Sequence, residues 1–137
     1  MDDALREAYR RSEYRVDDAG YVLVLRVEVP SAELRACHEA FGVTCSTFIT
    51  AWNPHSVPSP LHDNEAALAR LESELASRRL RWLRGAGVDP AGEWPAEPSF
   101  LVFGLEEASA RECAARFGQN AVVCASRDAV PRLVICT

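Results

Sequence analysis

The chain contains no lysine, because all 15 of its basic residues are arginine. Without lysine there can be no lysine Schiff base, no P-loop lysine and no lysine general base. The formal net charge of -5 also argues against non-specific binding to nucleic acid or anionic membranes, which requires a clustered positive surface. Nucleic acid is therefore not expected among the partners of this protein.

Long apolar runs and paired cysteines are missing as well. No stretch approaches the ~20 residues that span a membrane, and the N-terminal residues 1–4 are acidic rather than signal-like. The five cysteines include no CxxC pair and mostly lie in apolar stretches, as buried reduced thiols do. We therefore expect a cytoplasmic protein with no membrane partner, no metal site and no cofactor. Residues 1–137 have the length of a single domain.

Apolar periodicity predicts an α+β chain in which helices and strands alternate. The predicted helices cover residues 2–12, 31–41, 63–79 and 107–117. The predicted strands cover residues 21–29, 45–51, 99–105, 120–125 and 132–136. Residues 85–98 are rich in glycine and proline and are predicted to form a loop.

Two blocks of the chain, residues 24–42 and 100–118, resemble each other without a gap. In both blocks an apolar strand leads into a helix that ends in Phe-Gly, at Phe41-Gly42 and at Phe117-Gly118. Two βαβ units in tandem are typical of the ferredoxin-like, split-βαβ fold. The sequence therefore predicts a ferredoxin-like sheet, with the helix 63–79 inserted between its halves and an extra C-terminal strand.

Polar and aromatic side chains concentrate where three of these strands begin or end. In the predicted sheet these positions share one edge, where residues 52–56 and 94–99 would be neighbours and residues 119–120 would lie about three strand spacings away. A few convergent polar groups beside aromatic walls are typical of a ligand site. The predicted ligand-binding residues are Trp52, Asn53, Ser56, Asn64, Trp94, Ser99, Gln119 and Asn120. Glu97 is the carboxylate at this edge and the candidate catalytic acid or base.

Several of these residues also have a purely structural explanation. Asn53 and Ser56 flank a proline turn and can bond their own backbone. Either Asp63 or Asn64 can cap the following helix, and Glu97 can be an exposed loop charge. Two further chemistries match no recognised motif. They are a Ser-His-Glu hydrolase built from Ser56 or Ser99, one of His55 and His62, and Glu97, and a metal site formed by His55, His62 and Asp63.

The segments around these positions resemble a known protein family. The resemblance covers roughly residues 45–125 and is to the bacterial domain-of-unknown-function family 3293. It is carried by Thr50-Ala51-Trp52-Asn53-Pro54-X-Ser56, by Asn64 at a helix start, by Trp94-Pro95-X-Glu97-X-Ser99-Phe100-Leu101-Val102, and by Phe117-Gly118-Gln119-Asn120-Ala121. The resemblance implies that these polar positions belong together, and it brings no activity with it.

Three candidate functions are compared with these patterns. The first is binding of a small polar molecule at the sheet edge, with or without a reaction on it. The second is a regulatory or protein-interaction module that self-associates as a homodimer, because an apolar second face of the sheet needs cover. The third, RNA binding on strand aromatics, lacks the basic and aromatic signature that such domains carry.

Overall fold

A seven-stranded antiparallel sheet organises the computed structural model, which describes residues 1–137. The strands are β1 (Glu13–Asp18), β2 (Tyr21–Leu25), β3 (Ser46–Ile49), β4 (Arg81–Val88), β5 (Glu97–Phe103), β6 (Ala121–Ala125) and β7 (Arg132–Ile135). The helices are α1 (Asp3–Arg11), α2 (Ala32–Phe41), α3 (Leu61–Ser77) and α4 (Glu107–Arg116). The strands lie in the order β2-β1-β4-β5-β3-β6-β7. The predicted α+β class is confirmed, and no helix combines the length and apolar character of a membrane span.

The central strands are apolar on both faces, and each face packs against its own helices. Phe100 of β5 lies in a cluster with Leu71 of α3 and with residues of α4. Its neighbour Leu101 points the other way and lies in a second cluster with Leu34 of α2. Successive strand residues point to opposite faces, so cover on both sides allows uninterrupted apolar strands such as Ala121–Ala125.

The predicted ferredoxin-like assignment of strands and helices is not confirmed. The predicted first strand is β2, which pairs only with β1 at one edge of the sheet and does not lie beside β5. Helix α3 connects β3 to β4 and shares a face with α4, so it is a crossover of the sheet and not an insertion. The extra C-terminal strand is present as β7, paired with β6.

The two blocks that resemble each other share a helix ending and not a place in the fold. Helices α2 and α4 cover opposite faces of the sheet. What the blocks have in common is a glycine in the left-handed region after each helix, with φ of 67° at Gly42 and 68° at Gly118. Glycine adopts this conformation without the steric cost that other residues have. Both helix ends therefore favour Phe-Gly for a local reason.

The sequence pattern does not predict β1 and β4, and each omission has a local cause. A two-residue turn joins β1 to β2, and both its residues are left-handed, with φ of 53° at Ala19 and 85° at Gly20. Alanine at the first position hides a turn that Asn-Gly or Asp-Gly would signal. In β4, Gly85 and Gly87 are typical of a loop, yet a Cβ at Gly85 would lie 2.2 Å from the Arg15 carbonyl oxygen of β1. The glycine is required by the close approach of a neighbouring strand.

Buried His38 of α2 makes the stability of the fold depend on pH. Its Nε2 lies 2.8 Å from Ser46 Oγ, and burial, followed by the charge of Arg35, lowers the pKa of the imidazole. The unfolded chain, with a histidine pKa of about 6.5, therefore binds this proton more tightly than the folded chain. The contribution of His38 to stability is complete above about pH 7 and decreases as the pH falls below the unfolded pKa of about 6.5 toward the lowered folded pKa.

We expect a decrease in the free energy of unfolding of the wild type relative to His38→Gln, measured by urea titration, as the pH falls below about 6.5. The comparison with His38→Gln isolates this contribution, because the raised pKa of Glu97 acts in the opposite direction in both proteins. The variant His62→Gln, at an exposed position, is the control for replacing a histidine by glutamine. Identical pH profiles for wild type and His38→Gln would show that His38 does not cause the decrease.

Candidate functional site

The three polar segments of the chain meet at one edge of the sheet. Strand β3 pairs with β5 so that Ile49 lies opposite Phe100, which places the turn after β3 beside the segment that leads into β5. Strand β6 pairs directly with β3 on its other side. Gln119, just before β6, donates a hydrogen bond from Nε2 to the Trp52 carbonyl oxygen at 3.1 Å. Gln119 is therefore one strand spacing from β3, and not the three spacings expected from the predicted sheet order.

Asn53 and Asn64 bond to each other and hold the turn after β3 against helix α3. The Asn53 backbone N–H donates to Asn64 Oδ1 at 2.8 Å, and Asn64 Nδ2 donates to Asn53 Oδ1 at 2.7 Å. Asn53 Oδ1 also accepts from the Ser59 backbone N–H at 3.0 Å. Asn64 is buried and lies inside a helix that begins at Leu61, so it is not the helix cap. The side-chain Nδ2 of Asn53 donates to Glu97 Oε2 at 3.2 Å and orients that carboxylate.

The turn between β3 and α3 carries backbone strain. Asn53, His55 and Ser56 all have positive φ, at 45°, 60° and 59°. Residues other than glycine rarely occupy this region, and each such residue costs on the order of 1 kcal/mol or more. The surroundings fix the conformation, since the His55 backbone N–H donates to the Gly118 carbonyl oxygen at 2.7 Å. Strained residues of this kind cluster at binding sites.

Helix α1 forms one wall of the site, although none of its residues is among the predicted site residues. The Tyr9 hydroxyl lies 3.4 Å from Ser56 Oγ, which accepts a hydrogen bond from Asn120 Nδ2 at 2.8 Å. On β1, the Tyr14 hydroxyl donates to the Tyr9 carbonyl oxygen at 2.6 Å. Burial raises the pKa of both tyrosines, so both are neutral phenols at neutral pH. The available signal for β1 is the alternation of buried Tyr14 and Val16, which spans too few residues to stand out.

A cavity of about 180 Å³ lies between α1, the turn after β3 and the loop after β4. It is more than ten times the ~10–15 Å³ that a single water molecule requires. Four of the predicted site residues line it, namely Asn53, Ser56, Trp94 and Glu97. The lining residues that the sequence analysis does not identify include Tyr9, Tyr14, Gly87 and Asp89.

The other predicted site residues lie behind the cavity and do not line it. Gln119 holds the Trp52 carbonyl oxygen, as described above, and Ser99 Oγ donates to the Glu97 carbonyl oxygen at 2.9 Å. Gln119 and Ser99 are both buried. Asn120 reaches the cavity only through its hydrogen bond to Ser56. Gln119 and Ser99 thus satisfy backbone carbonyl groups beside the strand ends.

Glu97 is the titratable cavity group that the protein leaves partly unpaired. Its Oε2 accepts from Asn53, whereas its Oε1 accepts no hydrogen bond from the protein. Burial raises the pKa of the carboxyl, and the Asn53 hydrogen bond opposes this effect only in part. The second lining carboxylate, Asp89, differs because its two oxygens accept the backbone N–H groups of Ala91 and Glu93 at 3.0 and 2.9 Å. Asp89 thus shapes its own loop, while Glu97 offers a free oxygen to the cavity.

The structure brings together neither the residues of the Ser-His-Glu hydrolase nor those of the metal site that the sequence analysis considers. No histidine lines the cavity, and the Ser56 hydroxyl contacts Asn120 and Tyr9 in place of an imidazole. No group of three His, Cys, Asp or Glu side chains is placed to hold a metal ion, so His55, His62 and Asp63 do not form the metal site considered above.

A family model matches residues 49–122, more than half of the chain, and its description is "Protein of unknown function (DUF3293)". The chain belongs to this family, as the resemblance of its polar segments indicates. The match begins at Ile49, the last residue of β3, includes α3, β4, β5 and all of α4, and ends within β6. It leaves out α1, β1, β2 and α2. No curated protein and no solved structure matches the chain.

Proposed function

We propose that this member of the DUF3293 family binds a small polar molecule in the cavity, and that Glu97 contacts it. The observation that carries the proposal is the free Oε1 of a half-buried carboxylate that faces a cavity. A half-buried carboxylate has lost part of its hydration, so a ligand that donates a hydrogen bond to the free oxygen would be favoured there.

The surroundings of Glu97 support binding further. The Trp94 side chain lines the cavity and is 48% exposed, so it is available as an apolar wall. Ser56 and Tyr9 contribute hydroxyl groups, and together these residues provide the mixture of apolar walls and few polar groups that is typical of ligand sites. Burial shifts the pKa of Glu97 toward neutral pH, and a general acid or base is most effective when its pKa lies near the working pH. Glu97 is therefore the residue that we propose for any proton transfer.

We also propose that residues 46–125 are a ferredoxin-like unit inside the larger sheet. The order β6-β3-β5-β4, with α3 and α4 as crossovers on one face, supports this classification. In this arrangement the family segment contributes Glu97 and the strained turn, whereas α1 and β1 add Tyr9 and Tyr14 from outside the matched segment. The cavity then lies between the unit and its N-terminal addition.

The Glu97→Gln variant should retain full stability at neutral pH. Because burial disfavours the charged carboxylate in the folded chain, the free energy of unfolding decreases as the pH rises through the unfolded pKa of about 4.3 toward the raised folded pKa. Glutamine removes that penalty, and its carbonyl oxygen still accepts from Asn53. At about pH 7 we expect an unfolding midpoint no lower than that of the wild type, measured by thermal denaturation. A clearly lower midpoint would identify Glu97 as a structural residue.

A thermal-shift screen with metabolites and nucleotides tests the proposal. We expect at least one compound to stabilise the wild type and the Glu93→Gln variant but not Glu97→Gln. Glu93 is the matched control because it lies exposed in the loop that leads into β5 and does not line the cavity, so its substitution removes the same charge away from the site. The absence of any compound with this pattern, in a screen where all three proteins are folded, would contradict the proposed function.

A further inference from the structure

We propose that the molecule bound in the cavity is a small organic cation, an amine or a quaternary ammonium compound. This inference rests on the proposed function and adds the chemical class of the ligand. It is drawn from the charge of the cavity lining, from its aromatic walls and from the free oxygen of Glu97.

The cavity lining carries negative charge and no positive charge. Glu97 and Asp89 are its ionisable carboxylates, and no arginine is among the lining residues. The chain contains 15 arginines and no other strong base, so the exclusion of arginine from this one cavity is a property of the site and not of the composition. Sites for phosphate or carboxylate ligands place arginine or lysine against the anion. This cavity therefore disfavours anions and favours cations.

Three aromatic side chains line the cavity together with the Glu97 carboxylate. Tyr9, Tyr14 and Trp94 line the same cavity, and Trp94 is 48% exposed. The face of an aromatic ring attracts a cation by about 0.5–1 kcal/mol at exposed sites and by about 2 kcal/mol when water is excluded. Tryptophan is the best of the three ring types for this purpose. A carboxylate within aromatic walls is the arrangement that recognises organic ammonium groups.

Proton binding at Glu97 distinguishes a cationic ligand from an anionic one. Glu97 interacts with the phenols Tyr9 and Tyr14, from α1 and β1, and with the amide of Asn53 in the turn. Asp89, in the loop after β4, is the other carboxylate that lines the cavity. None of them is a cation, so a bound cation becomes the principal partner of the ionised carboxylate. Its affinity should therefore increase as the pH rises through the pKa of Glu97. An anion would show the opposite dependence.

Isothermal titration calorimetry with four small probes tests this inference. Choline and ethanolamine are the cations. Neohexanol is the neutral isostere of choline, with a tert-butyl group in place of trimethylammonium. The anion is tert-butylacetate in the sense of 3,3-dimethylbutanoate, the conjugate base of tert-butylacetic acid. We expect choline or ethanolamine to bind the wild type at least about tenfold more tightly than neohexanol, a difference of about 1.4 kcal/mol. The preference should disappear in Glu97→Gln, persist in Glu93→Gln, and decrease as the pH falls through the raised pKa of Glu97.

Trp94→Ala provides an independent variant, because this exposed side chain is not part of either core cluster. It should stay folded and lose most of the preference for the cation. If neohexanol or tert-butylacetate binds as tightly as the cations and depends on Glu97, the ligand class is wrong and the proposed function stands. If none of the four probes binds the wild type, the cation inference is overturned, and the proposed function is decided by the metabolite screen alone.

Discussion

Gly85→Ala is expected to destabilise the protein by about 2–3 kcal/mol, the upper part of the usual range for overpacking. The added Cβ would lie 2.2 Å from the Arg15 carbonyl oxygen and 3.2 Å from the Phe48 ring. The first contact is with backbone, which cannot rotate away, so β1 must separate from β4. Strand β4 is the sheet partner that joins the β1–β2 hairpin to the remaining strands, and the substitution therefore loosens the hairpin as a unit.

Gly87→Ala is the matched control, two residues further along the same strand. A Cβ at Gly87 has no heavy atom within 4 Å, and its φ is not in the left-handed region. Its free energy of unfolding, measured by urea denaturation beside that of Gly85→Ala, should stay within about 0.5 kcal/mol of the wild type. Because Gly87 lines the cavity, its substitution should weaken ligand binding without unfolding the protein. Equal destabilisation by both substitutions would show that the contact with Arg15 does not set the stability of β4.

Asn64→Ala should lower the free energy of unfolding by about 2–3 kcal/mol. The side chain is 3% exposed and forms three hydrogen bonds, two with Asn53 and one with the Ser59 carbonyl oxygen. Its removal leaves the Asn53 backbone N–H without a partner beside a turn that already carries strain. Leaving a buried donor unsatisfied costs about 1–3 kcal/mol.

Asn120→Ala is the comparison for this second prediction, because Asn120 is also an asparagine at the same edge. Its side chain makes one hydrogen bond, to Ser56 Oγ, at an exposed position. We expect a loss of about 0.5 kcal/mol or less by urea denaturation. A cost for Asn64→Ala as small as that for Asn120→Ala would mean that the paired asparagines do not hold the turn against α3.

Local sequence signals account for the parts of the fold that could be predicted. Strand β3 is fully buried and is followed by the Trp52-Asn53-Pro54 turn, and the β-branched and aromatic residues of the strand and the proline of the turn are adjacent in the sequence. The ends of α2 and α4 follow from Phe-Gly pairs for the same reason. The parts that could not be predicted depend on distant residues. Gly85 is explained by Arg15, which lies far away in the sequence, so a strand glycine and a loop glycine look alike.

The candidate site divides in the same way. Asn53, Ser56, Trp94 and Glu97 stand beside strand ends, and their density marks the edge of the sheet in the sequence. The contribution of Tyr9 depends on where α1 packs, and nothing in an isolated amphipathic helix indicates which surface it will cover. Packing also decides that Asn64, Ser99 and Gln119 bond to the protein and not to the cavity, because each is buried behind the residues that line it.

The indole N–H signals of the three tryptophans give the most direct test of a binding cavity at this edge. Trp94 lines the cavity, whereas Trp82 packs against Phe100 and donates from Nε1 to Glu72 in a different part of the molecule. In ¹H–¹⁵N spectra assigned with Trp94→Phe and Trp82→Phe, a compound that stabilises the wild type in a Glu97-dependent way should shift the Trp94 signal and leave the Trp82 signal in place. A shift of Trp82 with no change at Trp94 would contradict a ligand site at this cavity.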